Sequence, residues 1–285
     1  MTNIASMVGK VFPSRVLCET NNSLLKLTNT RTGLTTIKNN LGTARRELST
    51  DDKAKLDLFM ALYGIFDPTD KDAITAAETR ITKIDWYAQQ LLGALGEDDL
   101  AIDVFCNDDH LVRVEYQKED GSTQVVYASS AVPAMVDNEM NGKCADEEGL
   151  RAFMQETVAD KTGRVTMDVL TICPVCWDDQ DGWIEHLSEQ TTRTVDEMLD
   201  EYLDDIVSAS GEVTILHELM HTESFFTSSF VMEDEQQDSG TEAYKWENCY
   251  DLAQDTSTRA SAMTNAGEFA PLVSMVPLQA WDLSF

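Results

Sequence analysis

The sequence predicts an α+β fold: one domain built from a small mixed sheet, an N-terminal helical region and a helical C-terminal third. Three observations predict it. Strand-like runs gather between residues 98 and 176, apolar positions recur at helical spacing on either side, and no repeat or flexible linker divides the chain. The expected organisation is a lead-in over 1–50 and a single domain over 51–285. Within that domain, 50–97 is expected to be helical, 98–176 strand-rich and 177–285 helical again.

Residues 1–50 are rich in Thr, Asn, Ser and basic residues, and read as an extended or loosely helical lead-in with a possible short helix around Ser23–Leu27. Ser49-Thr50-Asp51-Asp52 resembles a helix cap, and Leu56, Phe59, Met60 and Tyr63 follow at i, i+3, i+4 and i+7. Phe66-Asp67-Pro68-Thr69 breaks that helix. A second one follows, with Ile74, Ala77, Ile81, Ile84 and Leu91 on one face. Ala101–Cys106 and Leu111–Tyr116 alternate like strands, and Asp120-Gly121 signals a turn into Gln124–Ala128. Met167–Cys173 is a further β-rich run. Between them, Glu148–Val158 reads as a helix with Leu150, Phe153, Met154 and Val158 on one side.

Residues 178–205 hold eleven Asp/Glu and one Arg, yet Val195, Met198, Leu199, Tyr202, Leu203 and Ile206 keep a helical stripe. An amphipathic helix with a solvated acidic face is expected there. It lacks the alternating Asp spacing of a calcium loop. Helices are expected over Val213–Phe226, Ala243–Ala253 and Thr258–Phe269.

The formal net charge is -30, and it is uneven: residues 1–55 carry nine Lys/Arg against four Asp/Glu, leaving -35 on the other 230 residues. Such a surface repels nucleic-acid phosphates and anionic lipid, so neither is an expected partner. The acidity suits solubility in an acidic medium; a sharper reading is attraction of basic peptides. No run approaches the roughly 20 apolar residues that span a bilayer. The chain is expected to act as a monomer.

The six cysteines, Cys18, Cys106, Cys144, Cys173, Cys176 and Cys249, allow three disulfides without fixing their pairing. Cys173-Pro-Val-Cys176 has the CxxC form. It follows an apolar run and has no second CxxC, which favours a structural role over a redox or metal one. The first ten residues have no basic segment followed by an apolar one, so they do not read as a signal peptide. The Asn21-Asn22-Ser23 sequon is weak evidence for secretion.

The chemistry sits at His217-Glu218-Leu219-Met220-His221, an HExxH motif in an apolar, helix-compatible run. Residues four apart share one helical face, so both imidazoles can grip one Zn²⁺ about 2.0–2.1 Å away. Glu218 lies beside them and can take a proton from a zinc-bound water. Two surface histidines on an ordinary helix are the plainer explanation. Against it, Ile215, Leu216, Leu219 and Met220 make the helix apolar on its other faces. Two of the chain's four histidines also fall within these five residues. A third ligand is needed, and no His follows His221. The downstream carboxylates Glu233, Asp234, Glu235, Asp238, Glu242 and Glu247 are the candidates.

This motif, together with Ile172-Cys173-Pro174, Gly240-Thr241-Glu242-Ala243-Tyr244, Cys249 with Leu252-Ala253, and Asn265-Ala266, resembles the fungal deuterolysin-like (aspzincin) metallopeptidases over about Val165–Pro271. The resemblance implies a zincin-like fold, zinc-dependent endopeptidase activity on peptides or proteins, a preference for Lys beside the cut, and secretion with the leader already removed. A cytoplasmic location is the alternative. It also implies a third zinc ligand from an Asp near Gly240-Thr241 and a following Tyr that stabilises the oxyanion. Neither register of that segment supplies the Asp. Lys245 stands where a Gly is common, and Asn265-Ala266-Gly267 where the family carries an Asn-Ala-Asp-like run. Glu242 is therefore the expected replacement, with Asp238 as the alternative and Tyr244 as the oxyanion residue. If the third ligand is lost instead, the chain is a catalytically degenerate zincin-fold binding or effector protein. A cytosolic protein with a chance motif is the plainest option.

Overall fold

The computed structural model describes residues 16–17, 60, 62–64, 70–95, 102–117, 121–129, 136–137, 144, 150–156, 168–177, 210–226, 231–236, 243, 246–255, 257–267, 269 and 270. The acidic helix expected within 178–205, the sequon and most of the lead-in lie outside them. So do Leu56 and Phe59, although Met60, Leu62 and Tyr63 of the same expected helix are helical.

Strands β1 (Val16–Leu17), β2 (Ile102–Phe105), β6 (Ala152–Glu156) and β7 (Asp168–Ile172) form a mixed sheet in the order β1-β2-β7-β6. β1, β2 and β7 run parallel, with Val104 opposite both Val16 and Leu170, while β6 runs antiparallel to β7. Every residue of β2 and β7 is buried, as parallel strands covered on both faces require. β3 (Leu111–Gln117), β4 (Thr123–Ser129) and β5 (Val136–Asp137) make a separate antiparallel sheet. The expected turn between β3 and β4 contains Gly121 at φ +81°, a left-handed conformation that glycine adopts without steric cost.

The helix expected over Glu148–Val158 is replaced by β6. Its apolar positions suit either element, and the partner decides. Pairing with β7 sends Ala152 and Met154 to one face of the sheet and Phe153 to the other. On the first face they join Ile102, Val104, Leu170 and Ile172 under the helices. On the second, Phe153 packs with Phe105, Leu111, Val169 and Cys173.

Helix α1 (Lys71–Ala94) buries Ala77, Ile84 and Leu91 of the predicted stripe and adds Tyr87 and Ala88. Ile81 is partly buried against the same core, and the Ile74 side chain lies outside the described residues. Tyr87 stacks edge-on against Phe226, ring centroids 5.5 Å apart. That contact ties α1 to α3 (Glu223–Phe226), which follows α2 (Gly211–Leu219). The single helix expected over Val213–Phe226 is thus broken. The chain tightens into i→i+3 bonds at Met220, His221 and Thr222, and the Thr222 hydroxyl donates back to the Leu219 carbonyl at 2.5 Å. From β7, Asp168 accepts the Ser224 amide at 2.9 Å and fixes the start of α3. Helices α4 (Trp246–Gln254) and α5 (Arg259–Ala262) pack together on Leu252, Ala253 and Ala262.

Cys144 and Cys173 form a disulfide, and Cys106 is also disulfide-bonded. Cys176 and Cys249 are buried thiols outside any disulfide. The CxxC cysteines are therefore not partners: Cys173 staples the second core, and the Cys176 thiol donates to the Arg151 carbonyl at 3.0 Å. Burial pushes that thiol up to about 12, so it is inert at neutral pH. Among the described residues no helix is long and apolar enough to cross a membrane.

Candidate metal centre

α2 is short, and its first turn carries Glu212, whose carboxylate accepts the Ser210 hydroxyl at 2.6 Å. Ile215, Leu216 and Leu219 are buried against the sheet, which turns His217 and His221 towards the opposite side. His221 lies just past the end of α2, in the tightened turn, yet its Nε2 still comes within 3.3 Å of His217 Nε2. The expected convergence of the two imidazoles is present.

A carboxylate meets them. Asp234 Oδ1 lies 3.1 Å from His217 Nε2 and 3.3 Å from His221 Nε2. The three atoms thus mark a nearly equilateral triangle. Three ligands about 2.0–2.1 Å from a tetrahedral Zn²⁺ stand about 3.3–3.4 Å apart, so these residues fit a zinc ion capping the triangle with its fourth position open. His221 Nδ1 lies 2.8 Å from the Met232 carbonyl. Donation from Nδ1 to that oxygen leaves the Nε2 lone pair free to bind metal. The same bond belongs to a return of the chain in which the Met232 amide donates to the Met220 carbonyl at 3.1 Å, and this brings Asp234 back over α2.

The side chains of His217, His221 and Asp234 are 16 %, 19 % and 36 % exposed, so water and a substrate can reach the triangle from one side. Glu218 is buried behind it, and its carboxylate accepts a hydrogen bond from the Met154 amide of β6. Burial raises the Glu218 carboxyl above its ordinary value, against the pull of both imidazoles and the Met154 amide. Burial would likewise lower the His221 imidazole. The bond and charge of Asp234, the Glu218 charge and the Met232 carbonyl outweigh it and raise His221 to about 9. Burial opposes ionisation of Asp234 too, yet the two imidazoles hold it well below the usual carboxylate range.

These directions set a pH dependence. In the metal-free chain His221 is protonated below about pH 9 and must lose that proton to bind a metal. Zinc affinity is therefore expected to rise about tenfold per pH unit up to about pH 9, with about one proton released per ion. Calorimetry in buffers of different ionisation enthalpy counts that proton; a pH-independent affinity between 7 and 9 would contradict it. Stability of the metal-free chain moves the other way. The raised His221 contributes most below its unfolded value of 6.5 and loses that contribution as pH rises through about 9.

Of the other sequence candidates, Glu242, Asp238 and Tyr244 lie outside the described residues. Asp234 was one of six downstream acids with nothing local to single it out. His110 is no ligand: it is buried, stacked on Phe105 at 3.8 Å and bonded to Thr171 at 3.1 Å, and burial lowers it to about 4. Among the described residues, His217, His221 and Asp234 are the group of His, Cys, Asp and Glu side chains placed to hold a metal ion. No protein-family model matches the chain, and no curated protein is significantly similar to it in sequence.

Proposed function

We propose that this chain is a zinc-dependent endopeptidase of the zincin type, with His217, His221 and Asp234 as its metal ligands and Glu218 as general base. The observation that carries the reading is the triangle of Nε2, Nε2 and Oδ1 atoms at 3.1–3.3 Å, open to solvent on one side and backed by a buried carboxylate. Two neutral imidazoles and one carboxylate are the donor set of catalytic zinc rather than of a closed structural site. Bound zinc would polarise a substrate carbonyl and bring the pKa of its water towards ~7. Glu218 then accepts the water's proton and passes it to the leaving amine, roles suited to a carboxylate whose basicity burial has raised.

β6 supports a peptide as the substrate class. Among the described residues it is one of the two edge strands of the four-stranded sheet, and it lies beside Glu218. An extended peptide adding to that edge would bring its backbone carbonyls past the metal site. The strongly acidic body favours basic or Lys-containing peptides through long-range attraction. The disulfides fit an oxidising, extracellular setting.

The test is hydrolysis of a mixed peptide substrate by the purified full chain. Activity is expected to vanish on chelation and return with about one equivalent of zinc. Hydrolysis that survives complete removal of metal, or a chain that holds zinc and cuts nothing, contradicts the proposal; the second outcome favours the degenerate, binding-only alternative.

A further inference from the structure

The geometry points to Asn265, outside the metal triangle, as the positioning residue that sets the third ligand in place. Asp234 comes from a segment, 231–236, with no helix or strand to hold it. Both of its neighbours are instead clamped to residues 264–266. On one side the Glu233 amide donates to the Thr264 carbonyl at 2.8 Å, and the Ala266 amide donates to the Glu233 carbonyl at 3.0 Å. On the other, the Glu235 amide donates to Asn265 Oδ1 at 3.4 Å, and the Thr264 hydroxyl donates to Glu235 Oε1 at 3.0 Å.

Asn265 is fully buried, and its amide is used at both ends. Oδ1 also accepts the Gly267 amide at 3.2 Å, and Nδ2 donates to the Ala243 carbonyl at 2.9 Å. The Ala243 amide returns a bond to the Glu235 carbonyl at 2.9 Å, so one side chain closes the chain between 235 and 243 on itself. Gly267 makes room for this: a Cβ there would lie 2.4 Å from the Ala243 oxygen. A buried amide with donor and acceptor both committed fixes a backbone more firmly than packing alone, because each bond lost leaves an unpaired polar group in the core. Asp234 is presented at a set height over the two imidazoles because Glu233 and Glu235 cannot shift.

This inference rests on the zinc-centre reading, and the test separates the two. Zinc dissociation constants of the full chain are measured by chelator competition for the unaltered protein, Asn265→Ala, Thr264→Val and the control Leu111→Ala. The control removes core packing on the far face of the sheet. Asn265→Ala is expected to weaken zinc by about 10–100-fold, as the loss of a ligand's supporting partner does. Leu111→Ala, matched for lost thermal stability, should bind as the unaltered chain does. If Asn265→Ala does not fold, Thr264→Val decides, with an expected weakening of about three- to tenfold for one lost hydrogen bond. Unchanged zinc affinity in the folded variant, or equal weakening in the control, overturns the role of Asn265 alone. Failure of the unaltered chain to bind zinc overturns it together with the metal centre.

Discussion

Replacing Asp234 by Ala is expected to weaken zinc binding by more than about 100-fold while leaving the fold in place. The magnitude follows from rank: altering a partner of a ligand costs about 10–100-fold, and Asp234 is itself a ligand in this reading. The fold should survive because Asp234 is more than a third exposed and its backbone neighbours, not its side chain, hold the segment to 264–266. A second consequence needs no metal. Asp234 supplies the largest of the effects that raise His221 against burial, so without it the imidazole should titrate clearly below about 9. Histidine titration by NMR reads that shift directly. In thermal unfolding, zinc at 100 times the dissociation constant should stabilise the unaltered chain by about 2.7 kcal/mol and the variant hardly at all. An Asp234→Ala protein that keeps full zinc affinity would remove this residue from the site.

Glu218→Gln is expected to lower kcat/KM by about 10²–10⁴-fold with zinc still bound, the range assigned to a positioned general base. The substitution keeps the volume of a buried side chain, and the amide oxygen can still accept the Met154 N–H. It also leaves His217, His221 and Asp234 untouched, so occupancy and hydrolysis should separate cleanly. A loss of zinc alongside activity would mean that Glu218 helps hold the metal; undiminished hydrolysis would falsify its assignment as base. The two substitutions therefore dissect different steps: Asp234 concerns whether the ion is held, Glu218 what is done with its water.

Much of this arrangement was legible in the sequence where local periodicity governs. The i, i+4 histidines converge as their spacing implies, although His221 sits in the tightened turn just past α2. The stripe of α1 and the strands around Gly121 follow from spacing and turn chemistry. What escaped was set by partners distant in sequence. β6 carries apolar residues that suit a helix equally well, and only its ladder with β7 makes it a strand. The helix through the HExxH motif stops at Leu219 because a side-chain bond from Thr222 and a carboxylate on β7 reshape the turn after it. The carboxylate that meets the two imidazoles was the hardest to read. Family resemblance directed attention to Gly240-Thr241 and Glu242, which lie outside the described residues, while Asp234 reaches the imidazoles through Met232, Thr264 and Asn265, none of which marks it locally. Asn265 itself stood out in the sequence only as part of a familiar-looking segment, without a role.

The most direct test of the zinc centre is an anomalous difference map at the zinc edge from crystals of the full chain grown with the metal. One peak is expected, about 2.0–2.1 Å from His217 Nε2, His221 Nε2 and an oxygen of Asp234, with its fourth side facing solvent. A map with no density among those three atoms, or a zinc ion held by other residues, would contradict the account.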